Sequence, residues 1–580
     1  MEHKNNRRSF SRDRENGVKE RVAPPQDGKK RMRFAPLGGF EEIGRNMCFF
    51  EYDDEIVIID AGLQFPEETT PGIDFIIPNV NYLERNKHKI RALIITHGHY
   101  DHTGAIPYVL PKLGNPTVYM APITKEMVAK RHEEFRNLPK LDAMVVNPGD
   151  KVSFGKYFQA EFFTLDHTVP DTIGTILKTP IGNIVHFTDF KIDYDHDDNP
   201  IGLDDFERIG KMGVHTLLID STNADIPGKT VSERLVEKNL EILFDEASGR
   251  IIVSTFASLL TRLREMIKIA IKLKRKVFID GYSMKTNIQI AQNMGYMKFP
   301  KDTIIPIEEI NKYKDEKVII FCTGAQGQSN ASLMRIANGE HKILQTKPGD
   351  TFVLSSSIIP GNERGVQNLK DNLTRQGARV FQSKDIDIHS SGHAPADELI
   401  SAIKLIKPKF MIPTHGYFFK RAANRELAVK CGIPKDNVLL LDNGHVAELE
   451  ENKAMITGET IDSYYVMVDG LGVGDVGEVV LRDRILLSQE GMLVIIATID
   501  KHNGRLLKNP DIISRGFIYL KESKEMMDEI RRKIRSVMER VQGQDPESDY
   551  VKTVIREQIG SFLFKKTKRR PMILPVVIEV

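Results

Sequence analysis

The stretch ITHGHYDHTG, residues 95–104, places His97, His99, Asp101 and His102 within six positions. Imidazole and carboxylate side chains are ligands that suit zinc or manganese. His97 and His99 are two apart and face one side of an extended chain. Asp101 and His102 follow once the chain turns, so one loop aims two pairs of ligands at two nearby points. A plain polar loop has no reason to gather these residue types so densely. Four residues cannot close two metal shells. The candidates for the rest are His167 in TLDHTVPD, Asp189 in HFTDFK and His415 in IPTHGY. Singly, each would more often be a structural or surface residue. Together they complete a scheme in which His97, His99 and His167 hold one cation, Asp101, His102 and His415 hold a second, and Asp189 bridges them.

Every one of these residues follows an apolar run. RALIIT reads as a buried strand ahead of the histidine loop, and GAIPYVLPKL after it reads as a short or kinked helix start. EIVIIDAG, TVYMAP, FQAEFFTLDH, NIVHFTDF and HTLLIDST are further short strands, and chemistry in layered α/β folds collects at such strand ends. Near residue 230 the texture changes. Helix-like SERLVEKNLEILFDEA and SLLTRLREMIKIAIKLK alternate with strand-like RIIVSTF, KVFIDG, KVIIFCTG and DTFVLSSS, the βαβ pattern of a parallel sheet. DIHSSGHAPADELISAIKLIKPKFMIPTHG then returns to the first pattern. The simplest account is one α/β domain interrupted by another and then resumed. Beyond a polar stretch at 451–475, the strands GMLVIIATID and GFIYL, two helices and a final strand form a separate α+β module.

Composition narrows the class. Hydrophobic residues make up 41% and charged residues 28% of the 580 positions, as in a soluble protein with a sizeable core. No apolar run approaches the ~18 residues of a membrane span, and the N-terminus is too polar for a secretory signal. A cytoplasmic location is therefore expected. Cys48, Cys322 and Cys431 are scattered and odd in number, so they build neither a disulfide framework nor a C-x-x-C metal site. Residues 1–33 carry a net +6, leaving −4 for the remainder. That poorly apolar tail is expected to be disordered. It either attracts nucleic acid through phosphate charge or is merely solvated.

THGHYDHTGAIPYVL resembles the signature of the metallo-β-lactamase fold, and Asp60, His167 and Asp189 match its other motifs. Asp220 in IDSTNA, His389 and His393 in HSSGHA, and His415 in PTHG resemble the β-CASP branch, which acts on nucleic acids. APLGGFEEIGRNM, VSTFAS, SSSIIPGNE, PKFMIPTHG, SRGFIYLKES and KKTKRRPMILPVVIEV are similar to bacterial ribonuclease J, a resemblance running from about residue 33 to the end. It implies an α/β protein: a metallo-β-lactamase αββα sandwich with an inserted β-CASP α/β domain and a C-terminal α+β domain. The boundaries expected are 1–32 basic tail, 33–225 first part of the metallo-β-lactamase domain, 226–388 β-CASP domain, 389–450 second part, 451–475 linker and 476–580 C-terminal domain.

The resemblance further implies a 5′-to-3′ exoribonuclease that prefers 5′-monophosphate RNA and also cuts internally, in RNA decay and rRNA or mRNA maturation. Two divalent cations, Zn2+ or alternatively Mn2+, would supply a bridging hydroxide and neutralise charge at phosphorus. Asp101 is expected in catalysis as well as ligation. The resemblance points to His393, assisted by Asp220, as proton donor to the leaving 3′ oxygen. Asp60 either orients a ligand histidine or is an ordinary strand-end turn residue. It also implies homodimers or homotetramers through the C-terminal domain, an RNA helicase or another ribonuclease as partner, and a structural calcium near Gly72, Asp74 and Asp469. For the RNA end, Ser258 at a helix start would offer backbone N–H groups to an anion, or would be an ordinary N-cap. His389, Ser390, Ser391, Gly392 and His393 form a small-residue loop able to close on phosphate. The chain departs from the family at Gln328 and Ser329, where Glu-Pro is expected, and at Thr188, where Gly is expected. Rival readings are a purely endonucleolytic RNA or DNA nuclease of the same superfamily, a small-molecule hydrolase, and a weakly active partner subunit of an RNA-processing complex.

Overall fold

The computed structural model describes residues 30–66, 69–327, 331–358, 362–470, 472–517, 524–540 and 549–580. Most of the basic tail, Gln328 and Ser329, and parts of SSSIIPGNE and SRGFIYLKES lie outside them. The chain forms two compact units, Met1–Gln64 with Ile77–Tyr465 and Phe65–Ile76 with Val466–Val580.

The first unit is built on two sheets packed face to face. One has eight strands and runs, in spatial order, from Lys453–Thr460 through His445–Glu450, Met32–Gly38, Met47–Tyr52, Glu55–Ile59, Ile90–Ile95 and Val118–Met120 to Ala143–Val145. The other has six, from Phe410–Thr414 through Val214–Asp220, Gly182–His186, Ile173–Thr179 and Phe158–Thr164 to Lys151–Phe154. Phe34, Phe50 and Val57 of the first sheet meet Phe158, Phe162 and Leu177 of the second in one buried cluster. Helices Asp204–Lys211, Ala396–Ile406 and Phe418–Lys430 cover the far side of the six-stranded sheet through Phe206, Ile209, Leu399, Ile403 and Leu427.

Two parallel pairings decide where the site lies. Glu55–Ile59 pairs with Ile90–Ile95 so that Ile59 stands opposite Ile94, which puts Asp60 beside the start of the histidine loop. Val214–Asp220 pairs with Phe410–Thr414 so that Asp220 stands opposite Thr414, one residue before His415. The chain leaves this layer after Asp220 and re-enters it at Phe410.

The excursion is an α/β lobe. Its sheet of six parallel strands is ordered Ile304–Ile305, Lys276–Ile279, Val318–Cys322, Ile251–Ser254, Thr351–Leu354 and Arg379–Gln382. Successive side chains enter opposite cores. Val253, Val277, Ile319 and Val353 pack under helices Glu233–Glu246, Leu260–Lys272 and Tyr282–Asn293. Ile252, Phe278, Ile320 and Phe352 pack under Ser332–Ala337 and Glu363–Arg375. Burial on both faces is why these strands read as unbroken apolar runs.

In the second unit, Met492–Ile499 lies between Asp511–Arg515 and Met572–Glu579. Leu493, Ile495 and Ala497 bury against Ile530, Ile534 and Val537 of helix Lys524–Arg540 and Ile555 and Ile559 of helix Asp549–Thr567. The expected order of strand, two helices and strand is present. Strand Asp511–Arg515 lies just ahead of GFIYL, most of which falls outside the described residues, and a further helix, Glu478–Glu490, stands ahead of the module. The stretch 451–475 is no bare connection: Lys453–Thr460 pairs antiparallel with His445–Glu450, and Val466–Asp469 forms another strand. Lys453–Thr460 is a mostly polar edge strand, so hydrophobic alternation could not reveal it. No helix among the described residues is long and apolar enough to cross a membrane.

Candidate metal centre

The histidine loop leaves strand Ile90–Ile95 and enters a single turn of helix, Tyr100–Thr103. The extended residue His99 precedes that turn, so the first pair of ligands and the second pair diverge as their spacing suggested. His97 Nε2 lies 3.1 Å from His99 Nδ1, and His167 Nε2 lies 3.2 Å from the same atom. Asp189 Oδ2 stands 3.8 Å from His97 Nε2 and 3.9 Å from His167 Nε2. In the second group, His102 Nε2 is 3.6 Å from Asp101 Oδ2 and 3.4 Å from Asp189 Oδ2. His415 Nε2 is 3.5 Å from Asp101 Oδ2. Donor atoms held at ~2.0–2.1 Å around one tetrahedral ion lie about 3.3 Å apart. The separations in the two groups, from 3.1 to 3.9 Å, lie near that spacing, and Asp189 belongs to both.

Asp189 is 1% exposed, and among the described residues neither of its carboxylate oxygens has an aligned hydrogen-bond donor; His415 Nε2 is likewise buried without a partner. Buried polar atoms are nearly always satisfied, so these orphans, together with the donor spacing, fit a pair of divalent cations. Burial, with the neighbouring histidines, holds His97 and His167 well below the ordinary imidazole range. Burial lowers His99 to about 4. These three are neutral, as metal ligation requires. On the other side burial opposes charge, yet Asp189, Asp60 and Asp101 outweigh it and raise His102 to about 10. His415 is raised well above its usual value by Asp189, Asp101 and Asp220 acting against its burial. That half of the site is a concentration of negative charge that suits positive charge.

Three of the clustered histidines are oriented from behind. His102 Nδ1–H donates to Asp60 Oδ2 at 2.7 Å, which fixes the orientation of the ring. Asp60 also receives the Thr96 backbone N–H at 2.9 Å and the Thr96 hydroxyl at 3.0 Å. The Thr96 oxygen in turn lies 3.1 Å from His97 Nδ1 and accepts from the Thr188 hydroxyl at 3.0 Å. The departure at Thr188 thus joins the web that holds His97 and His102. His167 Nδ1–H donates to the Gly392 carbonyl at 2.6 Å. A Cβ on residue 392 would come 2.6 Å from His167 Cε1, which explains the glycine. Asp60 and His415 both adopt left-handed backbone, with φ of 62° and 47°. Such strain gathers at functional sites, where surrounding contacts enforce it.

Asp220 and His393 complete a third grouping with Asp189 and His415. Asp220 Oδ1 accepts from the Thr222 N–H at 2.8 Å and hydroxyl at 2.7 Å, and Oδ2 receives His393 Nδ1–H at 2.8 Å. With its oxygens engaged, Asp220 orients His393, and the histidine's Nε2 has no hydrogen-bond partner among the described residues. Burial opposes the charged form of His393, but Asp220 and Asp189 raise its pKa above the usual imidazole value.

The remaining expectations fare unevenly. Ser258 is neither at a helix start nor a cap: the helix begins at Leu260, after Leu259. Its hydroxyl instead lies 3.0 Å from His99 Nε2, the nitrogen facing away from the ligand cluster. In the loop, Ser390 is fully buried. Ser391 Oγ receives the Asn223 amide at 2.9 Å and the His393 N–H at 3.2 Å. The His389 ring is held by Arg262 and does not join the metal ligands. Sequence reasoning missed Thr96, Asn223, Lys191, Glu233 and Arg262. Only Lys191, two residues beyond Asp189, offered a positional signal. Gly72, Asp74 and Asp469, the residues expected near a calcium, lie close to one another. The Arg484 guanidinium pairs with Asp469 and donates to the Gly72 carbonyl at 3.1 Å, while Asp74 receives the Gly470 N–H at 2.8 Å.

Two facing sheets with a parallel α/β insertion, and a buried His/Asp cluster at their strand ends, define a metal-dependent hydrolase of the metallo-β-lactamase superfamily in its β-CASP form. Residues 42–223 match the metallo-β-lactamase superfamily, 248–373 the ribonuclease J β-CASP domain and 479–580 the ribonuclease J C-terminal domain. The chain is 38% identical over 543 residues to Ribonuclease J 1 of Streptococcus pyogenes serotype M3, covering 93% of this chain and 96% of that protein. It is 37% identical over 553 residues to Ribonuclease J 2 of Staphylococcus aureus strain MRSA252, covering 95% and 99%. A crystal structure of a protein of unknown function from Enterococcus faecalis V583 shares the fold, at a TM-score of 0.51 and 15% identity over 74% of this chain and all of that one. The chain belongs to the ribonuclease J family and is a ribonuclease with a His/Asp metal-binding cluster.

Proposed function

We propose that this ribonuclease degrades RNA 5′-to-3′ from a monophosphorylated end and also cuts internally, serving RNA decay and the maturation of rRNA and mRNA. The observation that carries this reading is the double role of loop 389–393. Its Gly392 carbonyl fixes the ligand His167, and its last residue, His393, is the histidine oriented by Asp220. A phosphate bound by this loop is held beside the reacting centre, which is what stepwise removal of terminal nucleotides requires.

His97, His99 and His167 would hold one cation and Asp101, His102 and His415 the other, with Asp189 shared; zinc is expected and manganese is the alternative. Such a pair activates water and neutralises charge building on phosphorus and the leaving oxygen. The chain's own residues do the rest. Asp60 and Thr96 fix the ring orientations of His102 and His97. Asp220 holds His393 Nδ1, so that Nε2–H can deliver a proton to the departing 3′ oxygen. The three cysteines are free thiols, in keeping with a reducing cytoplasm. Assembly into a homodimer or homotetramer through the C-terminal unit is supported by the exposed apolar residues Leu574, Val576 and Ile578 on its outer strand.

The test is end preference. 5′-Monophosphate, 5′-hydroxyl and circular forms of one RNA, and the matching DNA, are digested across a zinc and manganese titration. Rapid mononucleotide release from the first, with slow cutting of the circle, is the expected result. Equal cutting of all three RNAs would instead identify an endonuclease.

A further inference from the structure

Beneath loop 389–393 lies an ion network that the hydrolytic chemistry does not use. Arg262, on helix Leu260–Lys272, and Lys191, two residues past Asp189, have side chains only 4% and 1% exposed. Both converge on Glu233, the first residue of helix Glu233–Glu246. Arg262 Nη2 donates to Glu233 Oε1 at 2.6 Å and Nε to Oε2 at 3.2 Å. Lys191 Nζ donates to the same Oε1 at 2.7 Å. The guanidinium has donors left over, and it spends them on the loop. Nη2 also donates to the Ser390 carbonyl at 3.2 Å, and Nη1 to His389 Nδ1. Lys191 Nζ stands 3.4 Å from the Ser390 hydroxyl.

A buried pair of this kind adds little net stability, because desolvation consumes most of the attraction. It does fix geometry. A planar guanidinium seated on a carboxylate by two bonds cannot rotate, so its other donors are set in direction. Glu233 and Arg262 come from the inserted lobe, Lys191 from the layer that carries Asp189, and the loop from the point where the chain returns. The loop is thereby referenced to both lobes at once. The same segment as Arg262 carries Ser258, whose hydroxyl meets the ligand His99.

We propose that Arg262, seated by Glu233 and Lys191, is the positioning residue that sets loop 389–393 for a 5′-terminal phosphate and so determines the enzyme's preference for a monophosphorylated end. This rests on the end-binding reading given above. Arg262 itself touches neither metal nor RNA; it acts through the loop. Lysine cannot replace it, since one ammonium cannot reach Glu233, His389 and the Ser390 carbonyl in fixed directions.

Full-length wild type, Arg262→Lys, Arg262→Met and the nearly isosteric Glu233→Gln are compared on 5′-monophosphate and 5′-hydroxyl RNA. Metal content and the amide exchange of residues 390–393 are measured without RNA. In both Arg262 variants the ratio of kcat/KM between the two RNAs falls by about tenfold. The fall is mainly in KM for the phosphorylated RNA, and Glu233→Gln shows a smaller fall. Metal content stays at the wild-type level, while exchange quickens in the loop and not in strand Ile90–Ile95. An unchanged ratio, an equal loss on both RNAs, or unchanged loop exchange overturns the assignment. Wild-type enzyme indifferent to the 5′ end sinks the end-binding reading, and with it the role in end choice. The exchange measurement still reports separately whether Arg262 holds the loop.

Discussion

Asp60 lies behind His102, yet its two oxygens hold His102 Nδ1 and the Thr96 backbone and hydroxyl. Asp60→Ala is therefore expected to lower metal affinity by about 10–100-fold, as loss of an outer partner does. Competition of the metal-loaded protein against a chelator measures this directly. Replacing His97 and His99 together by alanine removes two of the three nitrogens of one group. Loss of several kcal/mol of charge stabilisation corresponds to a fall of roughly a thousandfold in hydrolysis. The circular dichroism spectrum should be preserved, and unchanged turnover would refute the metal assignment. Asp220→Asn has a different signature. Metal content stays, but His393 loses the carboxylate that fixes its ring, and turnover falls by about 10²–10⁴-fold.

Strands and helices matter here through what their ends present. Asp60, His97, Asp189, Asp220 and His415 each sit just beyond or at the end of a strand. Helix Glu233–Glu246 presents Glu233 at its positive end, capped by Ser232. Burial opposes ionisation of Glu233, but Arg262 and Lys191 outweigh it and lower its pKa from 4.5 to about 2. A carboxyl depressed in the folded state stabilises above its unfolded value, and that contribution disappears as pH falls through the folded one. The window is thus pH 4.5 down to about 2. The linked stability is at most roughly 3 kcal/mol. Urea unfolding followed across this window should show a shallower loss of stability in Glu233→Gln than in wild type. Gly392→Ala tests the loop itself: the added Cβ would come 2.6 Å from His167 Cε1, so hydrolysis should collapse while the thermal midpoint changes little.

At the scale of the whole molecule, the C-terminal unit carries exposed apolar residues on one face of its sheet. Leu574, Val576, Ile578 and Ile513 are between 40% and 45% exposed, on the side of the sheet away from helices Lys524–Arg540 and Asp549–Thr567. If the proposed homodimer or homotetramer forms through this face, Val576→Lys shifts the sedimentation coefficient toward the monomer without loss of helical signal, since the buried residues beneath it, Ile573 among them, are untouched. A variant that sediments like wild type would place the assembly surface elsewhere.

Much of the buried His/Asp cluster was legible in the sequence. Ligand residue types are few, their spacing on the histidine loop is dense, and each remaining ligand follows an apolar strand. A strand end is a local property, and local properties are written in local sequence. The two-sided burial of the inserted lobe was equally readable from its unbroken apolar runs. What could not be read was anything decided by contact between distant segments. Asp220 meets His415 only because two strands pair in parallel across an inserted lobe. Ser258 looks like a cap in sequence but meets His99 in space. Asp469 pairs with Arg484, a partner no motif announces. Glu233, Arg262 and Lys191 carry no motif either. A charged residue on a helix reads as solvent-facing until packing buries it against a partner, and only the tertiary structure supplies that partner.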